Sequence, residues 1–316
     1  MECCAEHMIA VNNKVDPTRT TALRDAYSMD MRRRFVAISR GIATAVYEKD
    51  CFGLNKNIQT LQVTPPNYQA FANLSSSDKL EAFLAWLQLQ VDKGLLTIGQ
   101  FLQIGSSIEK SWTDEYTLDA YKRGVIRARA EMKKAGYDVP TIEETGGIMI
   151  VLGMPMHVEK LALLYTRTFN ELKGVTDAMH QQISRILAQG LADGDSSLLL
   201  AKKLVATING KGALELGITD SLGRFISVQR RAEMIARTET IRDFHVGNIQ
   251  EMMNWGVEGV YTEAEFRSAG DDRVCFRCQS LEGKIYTLDE AMGIIPVHIS
   301  CRCIMLPRII KKTKEL

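Results

Sequence analysis

The placement of proline is the feature that most constrains what this chain can fold into. The sequence of 316 residues contains 7 prolines, and none of them lies between Pro155 and Pro296. Because an internal proline removes a backbone hydrogen bond and breaks a helix, this proline-free interval can hold long uninterrupted helices. Apolar residues also recur at helical spacing outside it, as at Leu80, Phe83 and Leu87. The sequence therefore predicts a mainly α protein with a multi-helix body.

The order of helix, loop and strand signals predicts three regions. Residues 1–110 are expected to form an N-terminal helical region with a linker at 51–78, and residues 111–256 a helical body. Near Val260 the apolar period changes to about two, which predicts a strand. Residues 257–316 are therefore expected to form a small C-terminal α+β unit with a basic tail.

Two helix boundaries follow from single residues. Asp78, with Glu81 three residues later, is expected to cap a helix that continues to Gly94. Gly174 is expected to end one helix of the body, and Val175 to begin the next.

Charge and hydropathy limit the classes of partner. Lys and Arg number 39 against 38 Asp and Glu, so the net charge of +1 argues against a surface that attracts nucleic acid everywhere. The longest apolar run, Gly146 to Met156, is about half the ~20 residues that a membrane-spanning helix needs, so no membrane span is expected. The first residues include Glu2 and Glu6, unlike a secretory signal, which favours synthesis in a cytoplasm.

One predicted helix carries a basic face that is a candidate contact for DNA or for a partner protein. Charge runs of this kind are also common on solvated helix faces, and both interpretations stay open. The basic residues of this face are Lys122, Arg123, Arg127, Arg129, Lys133 and Lys134.

The strongest chemical signal is a cluster of soft metal ligands near the C-terminus. Cys275 and Cys278 form a Cys-x-x-Cys turn, and His298, Cys301 and Cys303 follow within 29 residues of Cys275. In a reducing compartment such a cluster favours metal binding over disulfides. A closed tetrahedral zinc site needs four ligands, so the sequence predicts one structural Zn²⁺. Cys275, Cys278, His298 and Cys301 are the preferred set, with Cys303 as the competing fourth ligand.

Enzymatic alternatives find weaker support. A zinc deaminase would use an H-x-E motif, present as His157 and Glu159, but Val274 replaces the proline before its Cys-x-x-Cys. A thiol nucleophile at Cys301 with His298 as base conflicts with the use of both residues as metal ligands. No H-E-x-x-H motif is present. A metal-dependent nuclease or toxin-like effector remains the alternative to a non-enzymatic protein.

Three motifs carry a resemblance to a known family. The first runs from Arg231 to Glu239, the second from Asp271 through Cys278 to Gly283, and the third from Pro296 to Cys303. In order and spacing they resemble the Mu F-like head-morphogenesis proteins of tailed bacteriophages, over about residues 155 to 308.

The resemblance implies a minor head (capsid) protein of a tailed phage or prophage. Such a protein is expected to act at the portal vertex in head morphogenesis and in DNA packaging or ejection, with the portal protein, other head or scaffold proteins and phage DNA as partners. It would be made in the bacterial host cytoplasm and end in the virion head. Arg237, Glu239, Asp271 and Arg273 match family positions and are expected to form a charged network that joins the long helix to the metal unit.

Overall fold

The computed structural model describes residues 16–54, 74–96, 98–103, 106–209, 218–219, 225–255 and 262–309. The helices are α1 (Thr21–Ala43, followed by a π-helical turn, Thr44–Glu48), α2 (Ser76–Gly94), α3 (Asp114–Lys134), α4 (Ile148–Leu152), α5 (Pro155–Asp193), α6 (Ser197–Asn209), α7 (Val228–Asn254), α8 (Phe276–Gln279) and α9 (Leu288–Met292). The strands are β1 (Ile98–Gln103), β2 (Ser106–Ser111), β3 (Ile218–Thr219), β4 (Phe225–Ile226), β5 (Thr262–Arg267), β6 (Ile285–Thr287) and β7 (Ile304–Ile309).

This architecture confirms the predicted fold class. The chain is mainly helical, and a small unit of strands and short helices lies at its C-terminal end. Val260, residues 55–73 of the predicted linker and the basic tail after residue 309 lie outside the described residues. Among the described residues, no helix combines the length and the apolar character that crossing a bilayer requires.

Local signals set most helix starts. Ser196 accepts a hydrogen bond from the Leu199 N–H at 3.3 Å and so caps the start of α6. Ser75 accepts one from the Asp78 N–H at 3.3 Å and caps α2. The prediction of Asp78 as the cap was therefore wrong by three residues. Asp78 instead lies in the first turn, where its charge suits the helix dipole.

The predicted helix break at Gly174 was also wrong. α5 runs through this residue without interruption, from Pro155 to Asp193. Leu172, Val175 and Met179 are all buried, so the apolar face continues across the glycine. One internal glycine costs a helix only about 1 kcal/mol, which the packing of this face offsets.

The chain divides into two compact units, each assembled from separate stretches of sequence. The first unit comprises residues 1–27, 113–168 and 236–316, and the second comprises residues 28–112 and 169–235. The predicted boundaries near residues 110 and 256 stay predictions.

In the first unit, α3 and α7 meet at backbone distance. A Cβ atom on Gly124 would lie 2.0 Å from the carbonyl oxygen of Phe244. A Cβ atom on Gly247 would lie 2.4 Å from the carbonyl oxygen of Tyr121. Both distances are far below van der Waals contact, so each helix can approach the other this closely because it has glycine at the crossing.

The C-terminal sheet of the first unit has the antiparallel order β6-β5-β7. Along β5, Ala264 and Phe266 are fully buried, whereas Glu263 and Glu265 stay partly exposed. The predicted alternation is thus confirmed. The buried side of the sheet shares one hydrophobic core with residues of α3 and α7. This core includes Ala128, Met132, Ile241, Ile249, Met252, Ala264, Phe266, Cys278, Cys301, Cys303 and Met305.

The second unit has its own apolar core. On α2, Phe83, Leu87 and Val91 recur at helical spacing and are buried. The ring of Phe83 lies 5.2 Å from that of Phe52, which follows the π-helical turn after α1. Buried leucines of α6 lie in the same unit, among them Leu204.

The glycine crossing gives a direct stability prediction. Gly124→Ala should destabilise the protein by about 3 kcal/mol, because overpacking at a backbone contact forces the two helices apart. Gly174→Ala is the matched control. Nothing lies within 4 Å of its added Cβ, so this variant should gain about 1 kcal/mol of helix propensity. Chemical denaturation of both variants measures the difference, and equal stabilities would contradict the close crossing.

Candidate metal centre

The first pair of candidate ligands is set by a helix start. Cys275 is the N-cap of the short helix α8, and its Sγ accepts a hydrogen bond from the Cys278 N–H at 3.4 Å. The backbone of Cys275 is extended and then turns into the helix. This turn places the Sγ atoms of Cys275 and Cys278 on the same side of the chain.

The second group of ligands lies on a turn that is tied to α7. The Cys301 N–H donates to the His298 carbonyl at 3.1 Å, which closes the turn. Ser300 has a positive φ of 60°, and its N–H donates to the side-chain oxygen of Thr238 on α7 at 3.1 Å. Cys303 follows and leads directly into β7.

The fold brings all five predicted ligands together in two overlapping sets. Within the set of Cys275, Cys278 and His298, the ligand atoms all lie within 4.8 Å of one another. The same holds for the set of Cys278, Cys301 and Cys303. Cys278 belongs to both sets and is therefore the centre of the cluster.

A hydrogen bond orients the imidazole of His298 toward the thiols. Its Nδ1 lies 2.8 Å from the carbonyl oxygen of Ile299, which can only accept, so Nδ1 carries the proton. In the neutral ring Nε2 then has a free lone pair, and this atom lies 3.1 Å from the Sγ of Cys278. Fixing the tautomer through the other ring nitrogen is a common arrangement for a metal-binding histidine.

Burial and mutual contact set the protonation of the thiols. Cys278, Cys301 and Cys303 are at most 3% exposed. Burial raises the pKa of Cys278 to about 12, and the hydrogen bond to Cys301 raises the pKa of Cys303 above its ordinary value. The hydrogen bond from Cys303 instead lowers the pKa of Cys301 to about 5. The raised pKa values keep Cys278 and Cys303 in the neutral thiol form, and a bound cation would favour their thiolate form instead. The donor set of thiols and imidazole fits a soft or borderline metal such as Zn²⁺.

A bidentate ion pair joins the loop before Cys275 to the ligand turn. The guanidinium of Arg302, between Cys301 and Cys303, donates two hydrogen bonds of 2.6 Å to the carboxylate of Asp271. These bonds hold the pKa of Asp271 well below its usual value. Arg302 was not among the charged residues predicted from the sequence. Its position between the two predicted ligands Cys301 and Cys303 was the feature that could have indicated its role.

Each of the four predicted network residues has an oppositely charged partner. Asp271 pairs with Arg273 at 2.9 Å, as well as with Arg302. On α7, Glu239 pairs with Arg167 at 3.1 Å and with Arg242 at 3.2 Å. Arg237 lies 3.8 Å from Asp25. The hydrogen bond from Ser300 to Thr238 described above ties α7 to the ligand turn.

Most basic residues of α3 are paired with carboxylates of the same unit. Asp119 binds Lys122 and Arg123, at 3.2 and 2.8 Å, and Glu131 binds Arg127 and Lys134, at 2.9 and 3.1 Å. Lys133 is exposed in the last turn. The face is therefore much less positive than its lysines and arginines alone suggest.

Arg129 is the exception among them, because it is 4% exposed and lies inside a polar network. It binds the carboxylate of Glu251, whose second oxygen lies 3.1 Å from Nε2 of His157. Nδ1 of His157 lies in turn 2.8 Å from the hydroxyl of Tyr121. Arg129 therefore stabilises the packing of α3 against α7 and is not accessible to DNA or to a partner.

The sequence did not indicate this network. His157 lies in the first turn of α5, and its side chain is fully buried. Burial opposes the charge of Glu251, but hydrogen bonds from His157 and Arg129 lower its pKa below the usual value. The partners are separated by 94 and 122 residues, so no local pattern could have found them.

Residues 181–306 match the sequence model of the family described as Phage Mu protein F like protein. This segment belongs to the Mu F-like family. The resemblance predicted from the sequence is thus confirmed for these residues, and it indicates a phage head-morphogenesis protein. The Mu F-like segment begins within α5 and ends within β7, so it includes all five candidate ligands. Comparisons with curated proteins and with solved structures gave no match.

The overlapping ligand sets predict that the cysteines contribute unequally to metal binding. Cys278→Ser should abolish tight binding of Co²⁺, because it removes a ligand from both sets. Cys275→Ser and Cys303→Ser should each weaken binding without abolishing it, because each variant keeps one complete set of three donors. The affinity of all three variants is measured by titrating the metal-free proteins with Co²⁺ and following the thiolate-to-cobalt absorption band. The control is Cys51→Ser, a buried thiol in the other unit. Equal affinities for the Cys278 and Cys51 variants would contradict the assignment.

Proposed function

We propose that this chain is a minor head protein of a tailed phage or prophage. It assembles at the portal vertex with the portal protein and other head or scaffold proteins, and acts in head morphogenesis and in packaging or ejection of the DNA. The observation that carries this proposal is the Mu F-like match over residues 181–306. We expect the protein to be made in the host cytoplasm and to end in the virion head.

We further propose that the cluster binds one structural Zn²⁺. Zinc in such a site supplies folding free energy and cross-links segments that have little apolar core of their own. Four of the residues Cys275, Cys278, His298, Cys301 and Cys303 would hold it. A catalytic zinc keeps one position for water, whereas five nearby donors from the chain can fill all four positions. This surplus of protein ligands supports a role without catalysis.

The charged groups around the cluster then have architectural roles. The pair of Asp271 with Arg302 fixes the two ligand segments relative to each other, and Thr238 holds the ligand turn on α7. On α3, the exposed residues Arg123, Lys133 and Lys134 remain candidates for a contact with DNA or a partner.

The proposal predicts that the chain is a component of the particle. Mass spectrometry of purified phage should detect it in substoichiometric amounts relative to the major head protein. Particles stripped of tails should retain it, and heads assembled without a portal should lack it. A particle preparation that contains the portal protein but not this chain would contradict the proposal.

A separate assay tests the non-enzymatic role. Purified, zinc-loaded protein is expected to leave plasmid DNA intact. Cleavage that is lost in His298→Ala, with the helical circular dichroism unchanged, would support the nuclease alternative instead.

A further inference from the structure

Two members of the arginine triplet of α1 (Arg32, Arg33 and Arg34) border a groove in the second unit, namely Arg33 and Arg34. Arg32 is engaged by two hydrogen bonds to Glu233, at 3.0 and 3.2 Å. Arg33 is 72% exposed in its side chain, with Asp30 at 3.3 Å. Arg34 donates to the Gly94 carbonyl at the end of α2, at 2.7 Å. Consecutive residues of a helix point in different directions, so the three arginines have different surroundings.

The groove lies between α1 and the C-terminal end of α2 and has a volume of about 480 Å³. Arg33, Arg34 and Lys93 contribute positive charge to its lining, and Asp30 contributes the one carboxylate among the lining residues. Cations held together in a concave site create a positive potential that attracts anions.

One of these cations is fixed in place. The guanidinium of Arg34 lies 4.0 Å from the centre of the Trp112 ring, in a cation–π contact. Trp112 itself donates from its ring N–H to the Leu95 carbonyl at 2.7 Å. A guanidinium held from two sides loses little conformational entropy when it binds a further partner.

The apolar part of the groove lining forms its floor. This floor consists of Ala37, Ile38 and Gly41 of α1. A Cβ atom on Gly41 would have its nearest neighbour at 3.9 Å, so the glycine leaves room there. A sugar–phosphate backbone gains little from such a surface, whereas an aliphatic side chain buries apolar area against it.

We propose that this groove binds an acidic peptide segment with an interspersed aliphatic residue, presented by another head protein. Carboxylates of the segment pair with Arg33, Arg34 and Lys93, and the aliphatic side chain lies over Gly41. The identity of the partner as a head protein rests on the proposed function. Binding of the peptide itself does not, so the two proposals can fail separately.

Fluorescence anisotropy with the full-length protein tests the groove. The probe is a fluorescein-labelled peptide of glutamates with two leucines, and an all-glutamate peptide and a DNA duplex are the comparisons. The double variant Arg33→Gln, Lys93→Gln should weaken binding of the leucine-containing peptide about tenfold, as expected for the loss of two rim ion pairs. The control Arg185→Gln, Lys202→Gln removes the same charge from exposed positions of the same unit outside the groove, and should bind as the parent does.

A third variant examines the apolar floor. Gly41→Leu should fill the groove. It should weaken binding of the leucine-containing peptide more than binding of the all-glutamate peptide. The proposal is overturned if the parent protein binds neither peptide, or if the control variant loses as much affinity as the groove variant. It is also overturned if the groove residues affect binding of the DNA duplex and not of the peptides.

Discussion

The close crossing of α3 and α7 is the constraint on which the C-terminal unit depends. Its sheet consists of three short strands, of 6, 3 and 6 residues, which cannot bury a core by themselves. The buried face of the sheet needs a partner surface, and α3 and α7 provide it. Glycine at positions 124 and 247 allows those helices to approach at backbone distance. The network of Arg129, Glu251 and His157 then fixes the same pair of helices from within.

The thiols are part of this core as well as candidate metal ligands. Cys278, Cys301 and Cys303 pack in the same cluster as Met132, Phe266 and several residues of α7. Metal binding would therefore stabilise the same segment that hydrophobic packing stabilises. A bound ion would tie α8 to the turn before β7, and the hydrogen bond from Ser300 to Thr238 holds that turn on α7. This dual role explains how a segment with so little regular structure can be well packed.

The sequence predicted features that depend on local pattern. Helical periodicity and the alternation along β5 are both encoded within a few residues. The ligand cluster was visible because cysteine is rare and its spacing is informative. The break at Gly174 and the cap at Asp78 were wrong because tertiary packing and a neighbouring serine decided those positions. The pairing of Arg129 with Glu251 joins residues that are 122 apart, and no single-sequence pattern predicts such a contact. Counting the lysines and arginines of α3 overstated its positive potential for a different reason, because two carboxylates of the same helix, Asp119 and Glu131, pair with four of them.

The central claim is that a metal bound by the cysteine cluster orders the C-terminal unit. Elemental analysis of protein purified from bacterial cytosol without added metal, combined with hydrogen exchange before and after chelation, tests it most directly. We expect about one zinc per chain, and loss of amide protection in residues 262–309 on chelation while α2 and α6 stay protected. Well under half an equivalent of metal in folded protein, or unchanged protection of residues 262–309 after the metal is removed, would contradict the account.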